Sequence, residues 1–203
     1  MNRGLLMLLV LGLTGCGSRI DKQIADPRAR ALKQLVEAIP AAYNGKKALV
    51  VVNPLGKGQR EVAALEAVTL EALDKVLNGR LSVTTATPAL RPGATENPAG
   101  FKIPPGSTAP ISFLMADDAF SQLAAKHPKA SLIISLVGYP VGGLRQSHPP
   151  AVLLFPDVQA FESKEAMLTG FADGHLLAFV LPGGLDGPRV ITRENAADVA
   201  WKK

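Results

Sequence analysis

The stretch Asn53-Pro54-Leu55-Gly56-Lys57-Gly58 takes over where the β-branched run ALVVVN (48–53) ends. Glycines between a strand and a helix let backbone N–H groups converge on an anion, and a lysine adds positive charge there. The same residues also make a plain strand-to-helix turn, and the Gly-Lys-Ser/Thr ending of a Walker loop is absent. A second turn, Gly138-Tyr139-Pro140, follows the apolar run SLIISLV (131–137) and offers an aromatic ring with a polar tip. Ligands of open parallel sheets bind beyond the carboxyl ends of the strands. If these two runs are neighbouring strands, Asn53, Gly56, Gly58, Gly138 and Tyr139 are the expected ligand-binding residues. Strand-ending turns remain the alternative for the same positions.

Other chemistry is sparse. His127, His148 and His175 are too scattered to suggest a metal-ligand set. Ser135 lies inside an apolar run without a G-x-S-x-G elbow. Asp157, Asp173 and Asp186 fall near strand ends or turns, where aspartate is common for conformational reasons. No catalytic set, metal site or cofactor is implied.

The single cysteine, Cys16, directly follows a leader with Arg3, an apolar stretch from Leu5 to Leu13, and small residues at the join. That is the layout of a secretory signal. The apolar stretch is too short to cross a bilayer core, which takes roughly 20 residues. Leu13-Thr14-Gly15-Cys16 resembles the bacterial lipobox, and the resemblance is confined to these first residues. It implies a signal peptide at 1–15, cleavage before Cys16, acylation of Cys16, and a lipidated tether at 16–25. The implied partner is a lipid bilayer, and the implied location is the cell envelope. Gly17 stands where an inner-membrane retention aspartate would be, so the periplasmic face of an outer membrane is favoured in a Gram-negative host.

Removing the leader costs only Arg3 from a formal charge of +5. The mild basic excess is spread along the chain, and no basic run with interleaved aromatics argues for nucleic acid. What remains is large enough for one domain at 26–203. NPLGKG also resembles the start of diacylglycerol-kinase-like lipid kinases. Their GGDGT motif is missing, since GGLDGP near the far end carries an inserted leucine.

Asp26-Pro27 signals a helix start, with Leu32, Leu35, Val36 and Ile39 as its apolar stripe and Pro40 as its stop. A second helix runs from Glu61, with Val62, Leu65, Thr69, Ala72, Leu73 and Val76 on one face, and stops at Asn78-Gly79. RLSVTTA (80–86) reads as the next strand, completing a β-α-β unit. Six prolines break up residues 87–110, so an exposed, mobile loop is expected there. ISFLM (111–115) is a short strand or the lead-in to a helix capped by Asp117. AVLLF (151–155) and HLLAFVL (175–181) are further strands, separated by a helix from Ser163. RVIT adds an edge strand, and Thr192 is positioned to cap a short terminal helix.

Alternating strands and helices predict an α/β fold, a single three-layer sandwich around a mostly parallel sheet of about five strands, flavodoxin-like or Rossmann-like. Residues 116–155 resemble one lobe of a type 1 periplasmic binding protein, a class that uses two lobes where this chain has length for one. The leading functional expectation is a non-enzymatic envelope lipoprotein that binds a small ligand or a protein partner. The alternatives are an assembly factor docking through loop 87–110, and a hydrolase or transferase with an unrecognised site.

Overall fold

The computed structural model describes residues 27–55, 60–183 and 187–201. The leader, Cys16, the tether, Asp26, Gly56, Lys57, Gly58 and Asp186 lie outside them.

Helix α1 spans residues 27–37. Strand β1 (Lys47–Val51) leads to α2 (Arg60–Leu77) and β2 (Ser82–Ala86). A single helical turn, α3 (Ile111–Leu114), precedes α4 (Ala119–Lys126) and β3 (Ala130–Ser135). β4 (Ala151–Leu154), α5 (Lys164–Ala172), β5 (Leu176–Leu181) and β6 (Arg189–Thr192) follow. The sheet order is β2-β1-β3-β4-β5-β6. The first five strands are parallel, and β6 returns antiparallel along β5. This is a six-stranded α/β sheet of flavodoxin-like order, with its direction of winding reversing between β1 and β3.

Alternation along the buried strands divides the core in two. Ala48, Val50 and Val52 face α1 and α2 together with Leu132, Ile134 and Val152. Leu49 and Val51 face the opposite side with Ile133, Leu153 and Phe179, under Phe120 of α4 and Met167 and Phe171 of α5. The expected stripe of α1 is buried at every position, from Leu32 to Ile39. α2 closes as its sequence signals, with Asn78 and Gly79 both at positive φ. β2 is an edge strand, and four of its five residues are exposed.

Several local expectations need correction. Asp118, not Asp117, occupies the N-cap position of α4. Asp117 instead pairs with Arg91 at 2.6 Å. The terminal helix is only a 3-10 turn, Ala196–Asp198, with Asn195 rather than Thr192 at its N-cap position and no side-chain cap bond; Asn195 Oδ1 accepts instead from the Thr192 N–H. ISFLM makes the turn α3, and Met115 then bridges to Leu90. That bridge draws the start of loop 87–110 into the body, where Pro88 and Ala94 are buried. Residues 95–100, which include a 3-10 turn at Pro98–Gly100, are exposed.

Candidate functional site

β1 and β3 are hydrogen-bonded neighbours, so their carboxyl ends open together at the reversal of the sheet. A recess of about 80 Å³ lies there. Asn53 leaves β1 on one side, Leu136 and Val137 leave β3 on another, and Leu65, Glu66 and Thr69 of α2 form the roof. Arg28 of α1 completes it. A larger cavity of about 420 Å³ shares Asn53 and Glu66 and runs towards the end of β2. A third, of about 310 Å³, shares Arg28 and runs towards Phe155 and Pro182. The two larger cavities are within the size range of small-molecule sites.

Asn53 is held at both its backbone and its side chain. Its N–H donates to Glu66 Oε2 at 2.7 Å, and its Oδ1 accepts from the Leu55 N–H at 2.8 Å. The second bond closes an Asx turn, which is why the chain leaves β1 sharply. Glu66 therefore caps the end of β1, a role invisible in the helical pattern.

Thr69 is the polar member of the α2 inner face and is buried. Its hydroxyl donates to the Leu65 carbonyl at 2.6 Å, one turn back, and accepts from Arg28 Nε at 3.2 Å. The Arg28 guanidinium also lies 5.6 Å from the centre of the Phe155 ring. Phe155 has φ +50, a conformation costing of order 1–3 kcal/mol for a bulky residue. Burial lowers the Arg28 pKa from its ordinary value.

Gly138 and Tyr139 do not line the recess. The Gly138 carbonyl accepts from the buried Ser135 hydroxyl at 2.6 Å, and the Tyr139 N–H donates to Ser112 Oγ at 3.1 Å. These bonds fold the chain after β3 against α3 and send Tyr139 into the opposite core, where it is 0% exposed. Val137, just before the bend, is the residue that reaches the recess. Of the three expected ligand residues that are described, Asn53 lines the recess and Gly138 and Tyr139 do not, while Gly56 and Gly58 lie outside the described residues. The pattern missed Arg28, Glu66 and Thr69, although a threonine on an apolar helical stripe was the available cue.

A further cavity, of about 520 Å³, lies at the ends of β4 and β5 between Asp157, Arg189 and loop residues 105–108. Asp157 is engaged there, accepting from the Gln159 N–H at 2.9 Å. Among the described residues no cluster of three His, Cys, Asp or Glu side chains is arranged to hold a metal ion. Nor is any described helix long and apolar enough to cross a membrane.

No protein-family model and no curated protein matches the chain. Solved structures do. A carbohydrate transporter solute-binding protein from Agrobacterium radiobacter, in complex with D-arabinose, aligns with a TM-score of 0.50 at 12% identity, over 84% of this chain and 61% of its own. The arabinose-binding protein AraP from Geobacillus stearothermophilus aligns with a TM-score of 0.47 at 12% identity, over 86% of this chain and 62% of its own. The chain spans about three fifths of the length of these structures. With the Agrobacterium protein the likeness is one of fold, in keeping with the resemblance of residues 116–155 to a binding-protein lobe.

Proposed function

We propose that the protein is an envelope lipoprotein, held at a membrane through acylated Cys16, whose α/β domain binds a small molecule without transforming it. The observation that carries this reading is the crevice at the ends of β1 and β3, where Asn53, Glu66 and Arg28 converge beside cavities of ligand size. It holds hydrogen-bonding groups on an otherwise apolar wall, the composition of a binding site. The D-arabinose in the Agrobacterium structure supports a solute of similar dimensions.

The test is thermal unfolding of the full mature chain in detergent micelles, followed by circular dichroism. Monosaccharides, amino acids, hydroxy acids and nucleosides are added in turn. A ligand at about 100 times its Kd stabilises by about 2.7 kcal/mol. In a domain of this size that raises Tm by roughly 5–10 °C. If no class of compound moves Tm at millimolar concentration, the binding reading falls.

A further inference from the structure

Arg28 is partly buried, yet its recorded partners are neutral: the Thr69 hydroxyl and the Phe155 ring. Among the described residues it makes no ion pair. The Thr69 bond uses Nε, and among the described residues neither terminal nitrogen of the guanidinium has a hydrogen-bond partner. Those nitrogens form a fork suited to a planar carboxylate or a phosphate. Thr69 is itself fixed by the Leu65 carbonyl, so the fork is held before any ligand arrives.

Glu66 lines the same recess. Its Oε2 is taken by the Asn53 N–H, while no bond to Oε1 is recorded among the described residues. A carboxylate here disfavours a doubly charged phosphate and favours a ligand that also brings a hydrogen-bond donor. The recess, at about 80 Å³, takes only a few heavy atoms, and the adjoining cavity of about 420 Å³ takes the remainder of a larger molecule.

We propose that the recess recognises a small organic carboxylate bearing a hydroxyl or ammonium group on the neighbouring carbon. The Arg28 fork takes the carboxylate, and Glu66 Oε1 accepts from the neighbouring donor. This rests on the small-molecule reading above and gives it a substrate class, α-hydroxy or α-amino acids.

The full mature chain in detergent is titrated calorimetrically with glycolate, glycine, acetate and D-arabinose. Glycolate or glycine is expected to bind, acetate at least ten-fold more weakly, and D-arabinose not at all. Arg28→Gln should weaken the bound carboxylate at least ten-fold. Glu66→Gln should bring the better ligand towards acetate and penalise glycine more than glycolate, because an ammonium loses more than a hydroxyl when the charge goes. Arg28→Lys retains the charge without the fork, and it serves as the reporter if Arg28→Gln does not fold. D-arabinose binding with undiminished affinity in Arg28→Gln or Arg28→Lys overturns the carboxylate assignment while leaving the small-molecule reading intact. So does carboxylate binding that all three variants leave unchanged. Failure of every compound, including the wider panel above, removes both.

Discussion

The phenolic oxygen of Tyr139 lies 2.6 Å from Nε2 of His148, inside the core on the side of the sheet away from the recess. His148 Nδ1 is 2.7 Å from the Pro149 carbonyl, so it carries the proton and Nε2 accepts from the tyrosine. Phe120 stands edge-on to both rings, and the His148 and His175 rings are 5.1 Å apart. Burial pushes the Tyr139 phenol well above its ordinary range and, with the nearby His175, lowers the His148 pKa.

This arrangement predicts acid sensitivity. Above pH ~6.5, His148 is neutral whether the chain is folded or not. Below it, the unfolded chain takes up a proton that the folded chain refuses, so stability falls as pH falls. The slope from one such group is at most about 1.4 kcal/mol per pH unit. Urea unfolding between pH 7.5 and 5 should show it, and His148→Gln, which keeps an acceptor without titrating, should reduce it. An unchanged slope in that variant would dismiss His148 as the cause.

Tyr139→Phe leaves His148 Nε2 without its donor in a buried site. A loss of about 1–3 kcal/mol is expected, read as a lower urea midpoint with an unchanged slope. Ligand binding should survive, since Tyr139 does not face the recess; its loss would place the site on the other side of the sheet.

Gly138 has φ +92, and a side chain there would bring its Cβ to 2.2 Å from Ser112 Oγ and 2.8 Å from Ala109 Cβ. Gly138→Ala must therefore strain its own backbone and displace α3. A destabilisation above about 2 kcal/mol is expected. A variant as stable as the parent would mean that α3 is not seated against this turn.

Thr69→Val keeps the shape of the side chain and removes the acceptor for Arg28 Nε. A double-mutant cycle with Arg28→Leu should give a coupling energy of about 1 kcal/mol, as for a partly exposed bond to a charged group. Coupling indistinguishable from zero would show that Thr69 does not hold Arg28.

In loop 87–110, Arg91 is tied at its N–H to the Leu114 carbonyl, at Nε to the Met115 carbonyl and at Nη2 to Asp117. Lys102 is exposed. Trypsin should therefore cut after Lys102 before it cuts anywhere between 131 and 181, while the Arg91-Pro92 bond resists trypsin because of its proline. Cleavage between 131 and 181 ahead of Lys102 would contradict the exposure of this part of the loop.

The anchor has its own test. Cys16→Ser should abolish palmitate labelling and leave the leader attached, and the wild-type chain should fractionate with membranes. Labelling that persists in the variant would remove the lipoprotein reading.

The runs 48–53, 131–137, 151–155 and 175–181 announced their strands because residues buried on both faces of a sheet must be apolar throughout. The stripe of α1 and the Asn78-Gly79 stop were equally local, and local patterns are what a sequence carries directly. The tertiary structure alone decided which elements lie side by side. Arg28 and Thr69 are 41 positions apart and meet only because α1 and α2 cover the same face of the sheet. Tyr139 illustrates the same limit from the other direction. Periodicity assigns faces within a strand, but it lapses where the strand ends, and there hydrogen bonds to Ser135 and Ser112 chose the direction of the chain.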